Sequence, residues 1–306
     1  AITGVTTIAA DSGNNITLSN TSNNFQAAVR ITSGNNVTLV DAGAIDLGAS
    51  TVSGTYAVTA TAGGDITDSG VLAITGTSTF TVADGRSITL DQSSTFSDTV
   101  TFAASAGTIA SVEINDSNAF DLKTLTTTGN LTVTAGGNIT DSGTVTVGGN
   151  LAATTDANNG VIDLGTLAVD GTMALATHGT GAATVVNDAG LNFAASTVGG
   201  ALSATATTGN VAQSGALTIT GVTTIAADSG NNITLDNTSN NFQAAVRITS
   251  GNNVTLVDAG AIDLGASTVS GTYAVTATAG GDITDSGVLA ITGTSTFRVA
   301  GGQDVL

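Results

Sequence analysis

Hydrophobic and polar residues alternate along most of the chain, in short runs that are separated by Gly, Asn or Asp. In residues 130–136, for example, Leu131 and Val133 are separated by Thr132 and followed by Thr134. Alternation with a period of two in runs rich in Val, Ile and Thr predicts β-strands that have one buried and one solvated face. Because no segment sustains a 3.6-residue pattern, the sequence predicts an all-β fold.

The strands belong to a repeat. Residues 1–83 return as residues 218–300 at an offset of 217, with 80 of the 83 positions identical. Inside this unit the run Gly-Asp-Ile-Thr-Asp-Ser-Gly of residues 64–70 recurs in related form at 137–143, 209–215 and 281–287, in steps of 73, 72 and 72 residues. Such self-similarity predicts units that stack on one another. The three differences between the long copies are Ala1/Thr218, Ser19/Asp236 and Thr81/Arg298.

A shorter spacing predicts the circuit of the chain. β-Branched residues that follow Gly or Asn recur at spacings of 21, 29 or 30, and 22 residues, which predicts about three rungs per 72-residue step, a rung being one full circuit of the backbone. We expect a right-handed parallel β-helix, or β-solenoid, with rungs about 4.8 Å apart. We expect residues 1–306 to form a single continuous segment of a longer array, whose neighbouring repeats cover its ends. The anchors are Ile16, Val37, Ile66, Ile88, Ile109, Ile139, Val161, Val211, Ile233, Val254, Ile283 and Val305, with an obscure one near Ala183.

The composition narrows the classes of partner. Five Lys and Arg residues stand against 23 Asp and Glu residues, for a net charge of -18. A chain this acidic lacks the basic patch that neutralises phosphates, so we expect no nucleic-acid partner. No apolar run is long enough to span a bilayer, so we expect no membrane insertion. The absence of Cys excludes disulfides, and any export signal is expected upstream of Ala1.

Four carboxylates in Gly-rich turns are candidate metal ligands. Asp65, Asp68, Asp282 and Asp285 offer oxygens of the kind that Ca²⁺ prefers. The tandem Gly-Gly-x-Gly-x-Asp pattern of calcium-binding solenoids is not present. Asp and Asn also dominate turns because their side chains cap the local backbone, and this is the favoured interpretation. No other cofactor is expected.

Asparagines recur at one rung position. Asn15, Asn36, Asn232 and Asn253 are expected to stack and to form a hydrogen-bonded ladder from rung to rung. The alternative is glycosylation, since Asn15, Asn36 and Asn130 each begin an Asn-x-Thr triplet. Such triplets arise by chance in a chain this rich in Asn and Thr, so the ladder is favoured.

An enzymatic site is not expected. Polysaccharide-cleaving β-helices need clustered basic residues or paired carboxylates in a cleft. Here His178 lies in a Thr-His-Gly turn without a recognisable nucleophile, and the basic residues are scattered. An ice-binding face of Thr-x-Thr rows is disfavoured because the rung lengths vary. The basic residues are Arg30, Arg86, Lys123, Arg247 and Arg298.

Two kinds of run carry a resemblance to a known family. Gly-Asn-Leu-Thr-Val-Thr-Ala-Gly-Gly-Asn-Ile-Thr at residues 129–140, and Gly-Asn-Asn-Val-Thr-Leu at 34–39 and 251–256, resemble the repeats of filamentous-haemagglutinin-like exoproteins and autotransporter passengers. The resemblance covers essentially the whole chain. It implies a right-handed β-helical shaft, export across the outer membrane, and a role in adhesion or cell–cell contact at the bacterial cell surface.

We therefore expect a structural protein: a stalk segment of a large secreted bacterial surface protein that forms a filament. The alternatives are a module that binds glycans on host or neighbouring cells, and a subunit of a self-assembling extracellular fibre with end-to-end copies. A recognition face would carry an exposed aromatic cluster, whereas the aromatics here are spread along the sequence, which favours the stalk. They are Phe25, Tyr56, Phe80, Phe96, Phe102, Phe120, Phe193, Phe242, Tyr273 and Phe297.

Overall fold

The computed structural model describes residues 1–156 and 159–306, and in these residues the chain forms strands and no helix. It follows that no helix there is long and apolar enough to cross a membrane. The strands are β1 (Thr6–Ala9), β2 (Ile16–Leu18), β3 (Val29–Ser33), β4 (Val37–Asp41), β5 (Ile45–Leu47), β6 (Ser50–Val52), β7 (Tyr56–Ala60), β8 (Ile66–Asp68), β9 (Leu72–Ile74), β10 (Ser78–Val82), β11 (Ile88–Phe96), β12 (Val100–Ala104), β13 (Val112–Asp116), β14 (Phe120–Leu122), β15 (Leu125–Thr127), β16 (Leu131–Ala135), β17 (Ile139–Asp141), β18 (Val145–Val147), β19 (Leu151–Asn158), β20 (Ile162–Val169), β21 (Met173–His178), β22 (Ala183–Asn187), β23 (Leu191–Phe193), β24 (Ser196–Val198), β25 (Leu202–Ala206), β26 (Val211–Gln213), β27 (Leu217–Ile219), β28 (Thr223–Ala227), β29 (Ile233–Leu235), β30 (Asn241–Phe242), β31 (Val246–Ser250), β32 (Val254–Asp258), β33 (Ile262–Leu264), β34 (Ser267–Val269), β35 (Tyr273–Ala277), β36 (Ile283–Asp285), β37 (Leu289–Ile291) and β38 (Ser295–Val299).

The chain divides into two compact units. The first comprises residues 1–137 and 142–149, and the second comprises residues 138–141 and 150–306. Each unit is a parallel β-solenoid, and the chain makes about 14 rungs in all. The all-β, parallel solenoid fold that the alternation and the repeats predict is confirmed.

The register of the first unit gives the length of a rung. One of its sheets stacks β2, β4, β7, β10 and β12, whose first residues pair in the order Ile16, Val37, Tyr56, Ser78 and Val100. Successive partners are therefore 21, 19, 22 and 22 residues apart. These rungs are shorter than the 24-residue average that the anchors predict.

The second unit shows why the anchors gave too long a rung. Ile139 and Ile283, two copies of the same motif residue, lie in one sheet and are seven rungs apart, through partners at 162, 183, 202, 223, 246 and 262–264. The copy midway between them, Val211, lies in the opposite sheet, where it pairs with Leu191 and Ile233. A 72-residue step therefore holds three and a half rungs, which refines the predicted three.

The half rung has a structural origin. One side of a rung is a straight five-residue strand, such as β4 or β7, and the other is a kinked pair of three-residue strands, such as β5 with β6 or β8 with β9. In the second unit, straight β31 pairs with β33 and contacts β34, so the next rung is kinked on this side. On the opposite side, β29 and β30 form a kinked pair and the next strand is straight β32. The straight side and the kinked side thus exchange places once in each 72-residue step. A motif such as residues 137–143 therefore recurs on the opposite side of the solenoid one step later.

The interior of the first unit contains a column of aromatic rings. The Phe80 ring lies 6.1 Å from those of Tyr56 and Phe96 and 6.2 Å from that of Phe102, and Phe102 lies 6.4 Å from Phe120. All five side chains are buried. Residues that are spread along the sequence are thus stacked in space, because rungs of similar length bring them over one another.

Small residues allow the rungs to approach at the corners. A Cβ atom on Gly64 would overlap the backbone of Ala44, and one on Gly70 would overlap the backbone of Ala49. Both contacts join one rung to the preceding rung of the first unit. Any larger residue at these two positions would force the rungs apart.

Candidate functional site

The asparagine ladder predicted from the sequence is present at a corner of the first unit. The backbone N–H and the Nδ2 group of Asn36 donate to Oδ1 of Asn15, at 3.2 and 3.1 Å. The backbone N–H and the hydroxyl of Thr55 donate in turn to Oδ1 of Asn36, at 3.0 and 3.1 Å. Each side chain therefore binds a backbone donor of the next rung.

The second copy repeats the ladder. Asn253 donates to Oδ1 of Asn232 through both its backbone and its side chain, at 3.1 Å, and Thr272 donates to Oδ1 of Asn253. These side chains lie at the surface and not in the interior, as the exposed Asn15 and Asn253 show. Glycosylation at the Asn-x-Thr triplets stays an untested alternative to the ladder, and burial of these side chains does not exclude it.

Two of the calcium candidates are members of a related ladder. Oδ1 of Asp65 accepts the backbone N–H of Ser87, and Oδ1 of Asp282 accepts that of Asp304, both at 2.9 Å. At the same motif position, Oδ1 of Asn138 accepts the N–H of Val161 at 3.0 Å and Oδ1 of Asn210 that of Asn232 at 2.8 Å. Asp and Asn are therefore interchangeable here as acceptors of one backbone hydrogen bond.

The other pair of candidates differs between the copies. Asp68 is buried with 8% of its surface exposed, and its Oδ1 accepts the backbone N–H of Asp91 at 2.9 Å, while its Oδ2 has no hydrogen-bond partner. Burial raises the pKa of Asp68 to about 7, and repulsion from Asp91 and Asp46 adds to the rise. Asp285, the second copy, is exposed.

The calcium candidates do not form a cluster of metal ligands in the described part of the chain. The residues other than 157 and 158 contain no group of three or more His, Cys, Asp or Glu side chains arranged to hold a metal ion. Calcium binding at Asp65, Asp68, Asp282 and Asp285 stays an untested alternative to turn chemistry.

A set of buried polar residues was missed by the sequence reasoning. In the second unit, the carboxylate of Asp258 accepts the backbone N–H of Phe242 at 2.7 Å and that of Gly260 at 2.6 Å. Oδ1 of Asn187 accepts the N–H of Val169 at 2.8 Å. Each of these side chains closes the end of a straight strand against the preceding rung. The set is Asp41, Asp116, Asn187 and Asp258.

A sequence signal for this set exists. Asp41, Asp116, Asn187 and Asp258 end strands that read Val-Thr-Leu-Val-Asp, Val-Glu-Ile-Asn-Asp or Ala-Thr-Val-Val-Asn. In each strand the last residue occupies an inward position of the alternation, where an apolar residue is expected. Burial raises the pKa of Asp116 and Asp258, and the backbone N–H groups that they accept oppose that rise.

A buried hydroxyl has a similar role at the kinks. Oγ of Ser50 accepts the N–H of Ile31 at 3.0 Å and donates to the carbonyl of Gly48 at 2.8 Å. Ser267 makes the same contacts in the second copy, to Ile248 and Gly265. The kink would otherwise leave a buried strand N–H unpaired, which is costly. These polar groups stabilise rung-to-rung stacking, and Asp116 also lines a depression of about 150 Å³ beside Phe96 and Lys123.

The remaining candidates lie apart from one another. Nδ1 of His178 donates to the carbonyl of Thr155 at 2.5 Å, and Lys123 forms an ion pair with Asp121. The stem of Arg30 packs beside Gly48, and its copy Arg247 packs beside Gly265. A groove of about 340 Å³ in the second unit is lined by residues 169–171, 189–192, 210 and 212, none of which is basic or aromatic.

Comparison with known proteins supplies a family but no characterised relative. The family described as repeats of unknown function (DUF5649) matches residues 1–32, 34–103, 109–176, 180–249 and 251–306. Asp41, Asp116, Asn187 and Asp258 are each the eighth residue of a matched segment, so the family repeat and the exchange of straight and kinked sides have the same period. No curated protein and no solved structure matches the chain. Since the matched segments cover more than half of its residues, the chain belongs to this family of repeats.

Proposed function

We propose that the chain is a structural spacer: a stalk segment of a large secreted bacterial surface protein, whose repeats form an elongated filament for adhesion or cell–cell contact. The observation that carries this proposal is that the polar side chains that recur in the repeat form hydrogen bonds between adjacent rungs. Asn36, Asp65 and Asp258 all bind backbone groups of an adjacent rung. Side chains used in this way lengthen a stack and offer little to a soluble ligand.

The surface chemistry supports a spacer over a recognition module. Of the ten aromatics in the sequence, those in the column of the first unit are buried, and so are Phe25, Phe193, Phe242 and Tyr273. Aromatic side chains commonly anchor ligands and protein partners, so their burial leaves few anchors outside. A net charge of -18 keeps such a surface soluble and limits lateral sticking.

The proposal extends to partners and chemistry. The chain's main partners are its own neighbouring repeats, it acts outside the cell, and it catalyses no reaction. Nucleic acid and anionic membranes are repelled by its charge. Glycan binding is the rival function, and it predicts an exposed aromatic cluster or a surface patch that is absent from the other copy of the repeat.

Labelling of intact cells tests the location and the form. Antibodies against residues 1–306 are applied to living cells of the source organism and imaged by electron microscopy, with permeabilised cells as the control. We expect filaments labelled without permeabilisation. Labelling that appears only after permeabilisation would contradict the proposal.

A glycan array probed with the same purified chain separates the stalk from the adhesive module. We expect a spacer to bind no glycan selectively, and array positions without glycan give the background signal. Saturable binding to one glycan class would contradict the stalk proposal and favour an adhesive module.

A further inference from the structure

Asn159, in a turn of the second unit, combines a sequence feature with a backbone feature. It is the only asparagine in the sequence that precedes a glycine. Within residues 1–156 and 159–306 it is also the only residue other than glycine that has a positive φ, of 68°. Asparagine is among the few residues that adopt this left-handed region readily. The side chain of Asn159 is exposed, so water reaches it.

Two donors of the next rung hold the side-chain carbonyl of Asn159. The backbone N–H and the hydroxyl of Thr180 donate to its Oδ1, at 2.8 and 2.7 Å. Two donors on one carbonyl oxygen stabilise the oxyanion that forms when a nucleophile adds to the carbonyl carbon. The arrangement therefore activates Cγ of Asn159 toward addition.

The main-chain nitrogen of Gly160 is the nucleophile that the sequence places beside this carbon. In the described part of the chain, the N–H of Gly160 makes no hydrogen bond. Glycine has no Cβ atom to hinder a close approach to its nitrogen. Addition of this nitrogen to Cγ of Asn159 closes a five-membered ring.

Three other asparagines have the same pair of donors but a different following residue. Asn36, Asn150 and Asn253 each accept the N–H and the hydroxyl of a threonine in the next rung. The residue that follows each of them is Val or Leu, and its N–H donates to the carbonyl of that same threonine at 2.8 Å. Their main-chain nitrogens are therefore engaged in rung-to-rung stacking, and these sites serve as internal controls.

We propose that Asn159 is a site of spontaneous covalent modification, at which it loses its side-chain amide as ammonia. Hydroxide removes the proton of the Gly160 nitrogen, the nitrogen adds to Cγ, and the carbonyl electron pair moves to Oδ1. The oxyanion is held by the two donors of Thr180. It then collapses, the bond from Cγ to Nδ2 breaks, and Nδ2 leaves as ammonia with a proton from water. The product is a cyclic imide.

Water opens the imide at either of its two carbonyl carbons. Addition at Cγ restores the original main chain and leaves aspartate at position 159. Addition at the main-chain carbonyl carbon leaves isoaspartate, in which the main chain runs through Cγ. The net reaction consumes water and releases ammonia, and it adds a negative charge to a chain whose net charge is -18.

The two products differ in their effect on the stack. Aspartate keeps an oxygen for the donors of Thr180, just as Asp65 and Asp282 accept a backbone N–H of the next rung at 2.9 Å. Isoaspartate lengthens the main chain before Gly160 and so displaces the acceptor from Thr180. The inference goes beyond the proposed function and does not depend on the location of the protein, because it concerns the chain alone.

Peptide mapping by mass spectrometry follows the reaction in the purified 306-residue chain at mildly alkaline pH. We expect conversion of Asn159 to a mixture of aspartate and isoaspartate, while Asn36, Asn150 and Asn253 stay intact over the same period. We also expect the folded chain to lose Asn159 at least as fast as the chain unfolded in urea. The variant Asn159→Asp marks the elution position of the aspartate product.

Substitutions at Thr180 test the role of the donors. Thr180→Val keeps the shape of the side chain and removes the hydroxyl donor, so it should slow the loss of Asn159 about tenfold, because a hydrogen bond to a charged oxygen is stronger than one to a neutral oxygen. Thr180→Ser keeps the hydroxyl and should keep the wild-type rate. Thr172→Val, which removes the matching donor from Asn150, is the control and should not change the loss of Asn159. Circular dichroism confirms that each variant is folded.

Any of three results would overturn the proposal. In the first, Asn159 stays intact in the folded chain while the unfolded chain loses it, which would show that the fold protects the residue. In the second, Thr180→Val reacts as fast as the wild type. In the third, Thr180→Val is slower in urea by the same factor, which would place the effect in the chain and not in the fold. None of these results bears on labelling of the cell surface, so the two proposals fail separately.

Discussion

Residues 71–82 and 288–299 differ at one position, Thr81 against Arg298, yet they have different surroundings. In the first copy a further rung pairs with β9 and β10, whereas within the described residues 1–156 and 159–306 β37 and β38 pair only with the preceding strands β34 and β35. Phe80 is accordingly fully buried and Phe297 half-buried. Burial in this fold is therefore a property of neighbouring rungs and not of the rung's own sequence. Stability in such a stack is a sum of rung and interface contributions.

The aromatic column provides the largest test of that comparison. Phe80 contacts three rings and is fully buried, so Phe80→Ala should lower the free energy of unfolding by about 3–5 kcal/mol. Phe297 is half-buried and its ring lies 6.0 Å from that of Tyr273, so Phe297→Ala should cost less, about 1.5–2.5 kcal/mol. Urea unfolding followed by circular dichroism measures both. Equal losses would show that each rung is stable through its own sequence.

The aromatic column could not be predicted from the sequence, although the strands that carry its residues could. Alternation around Phe80 and Phe102 predicts two strands and their inward faces. It does not fix how many residues make a rung, and only that number places Phe102 on Phe80. The anchors misled because Val37 and Ile66, 29 residues apart, lie in different sheets.

In the candidate site, too, one residue role could be predicted from the sequence and another could not. The ladder role of Asn36 followed from recurrence at a fixed spacing, which survives any error in rung length. The role of Asp258 did not follow, because an Asp at the end of a strand resembles an ordinary turn residue. Its inward position in the alternation was the available signal.

The two copies of the motif carboxylate should differ in how stability depends on pH. Burial raises the pKa of Asp68 from 3.8 to about 7, so between these values the folded chain holds a proton that the unfolded chain releases. Stability therefore falls as pH rises from about 4 to 7. Asp68→Asn should make this fall shallower, although Asp116 and Asp258, whose pKa is also raised, keep part of it.

Urea midpoints measured at several pH values give the slope. Asp285→Asn is the matched control, because the same motif residue is exposed in the second copy. A slope that Asp68→Asn leaves unchanged, or that Asp285→Asn reduces by as much, would show that burial of Asp68 under the following rung is not its source.

The smallest expected effect comes from the asparagine ladder, where the two copies of the repeat have the same neighbours. Asn36 and Asn253 each lie between an Asn of the preceding rung and a Thr of the following rung, with matching hydrogen bonds. Asn36→Ala and Asn253→Ala should therefore cost the same, about 1 kcal/mol each in the free energy of unfolding. Urea unfolding of the two variants and of the double variant measures this, and the double variant should lose the sum because the sites are far apart in sequence and share no partner. Unequal costs at positions with equal neighbours would mean that something other than the adjacent rungs sets the stability of each copy.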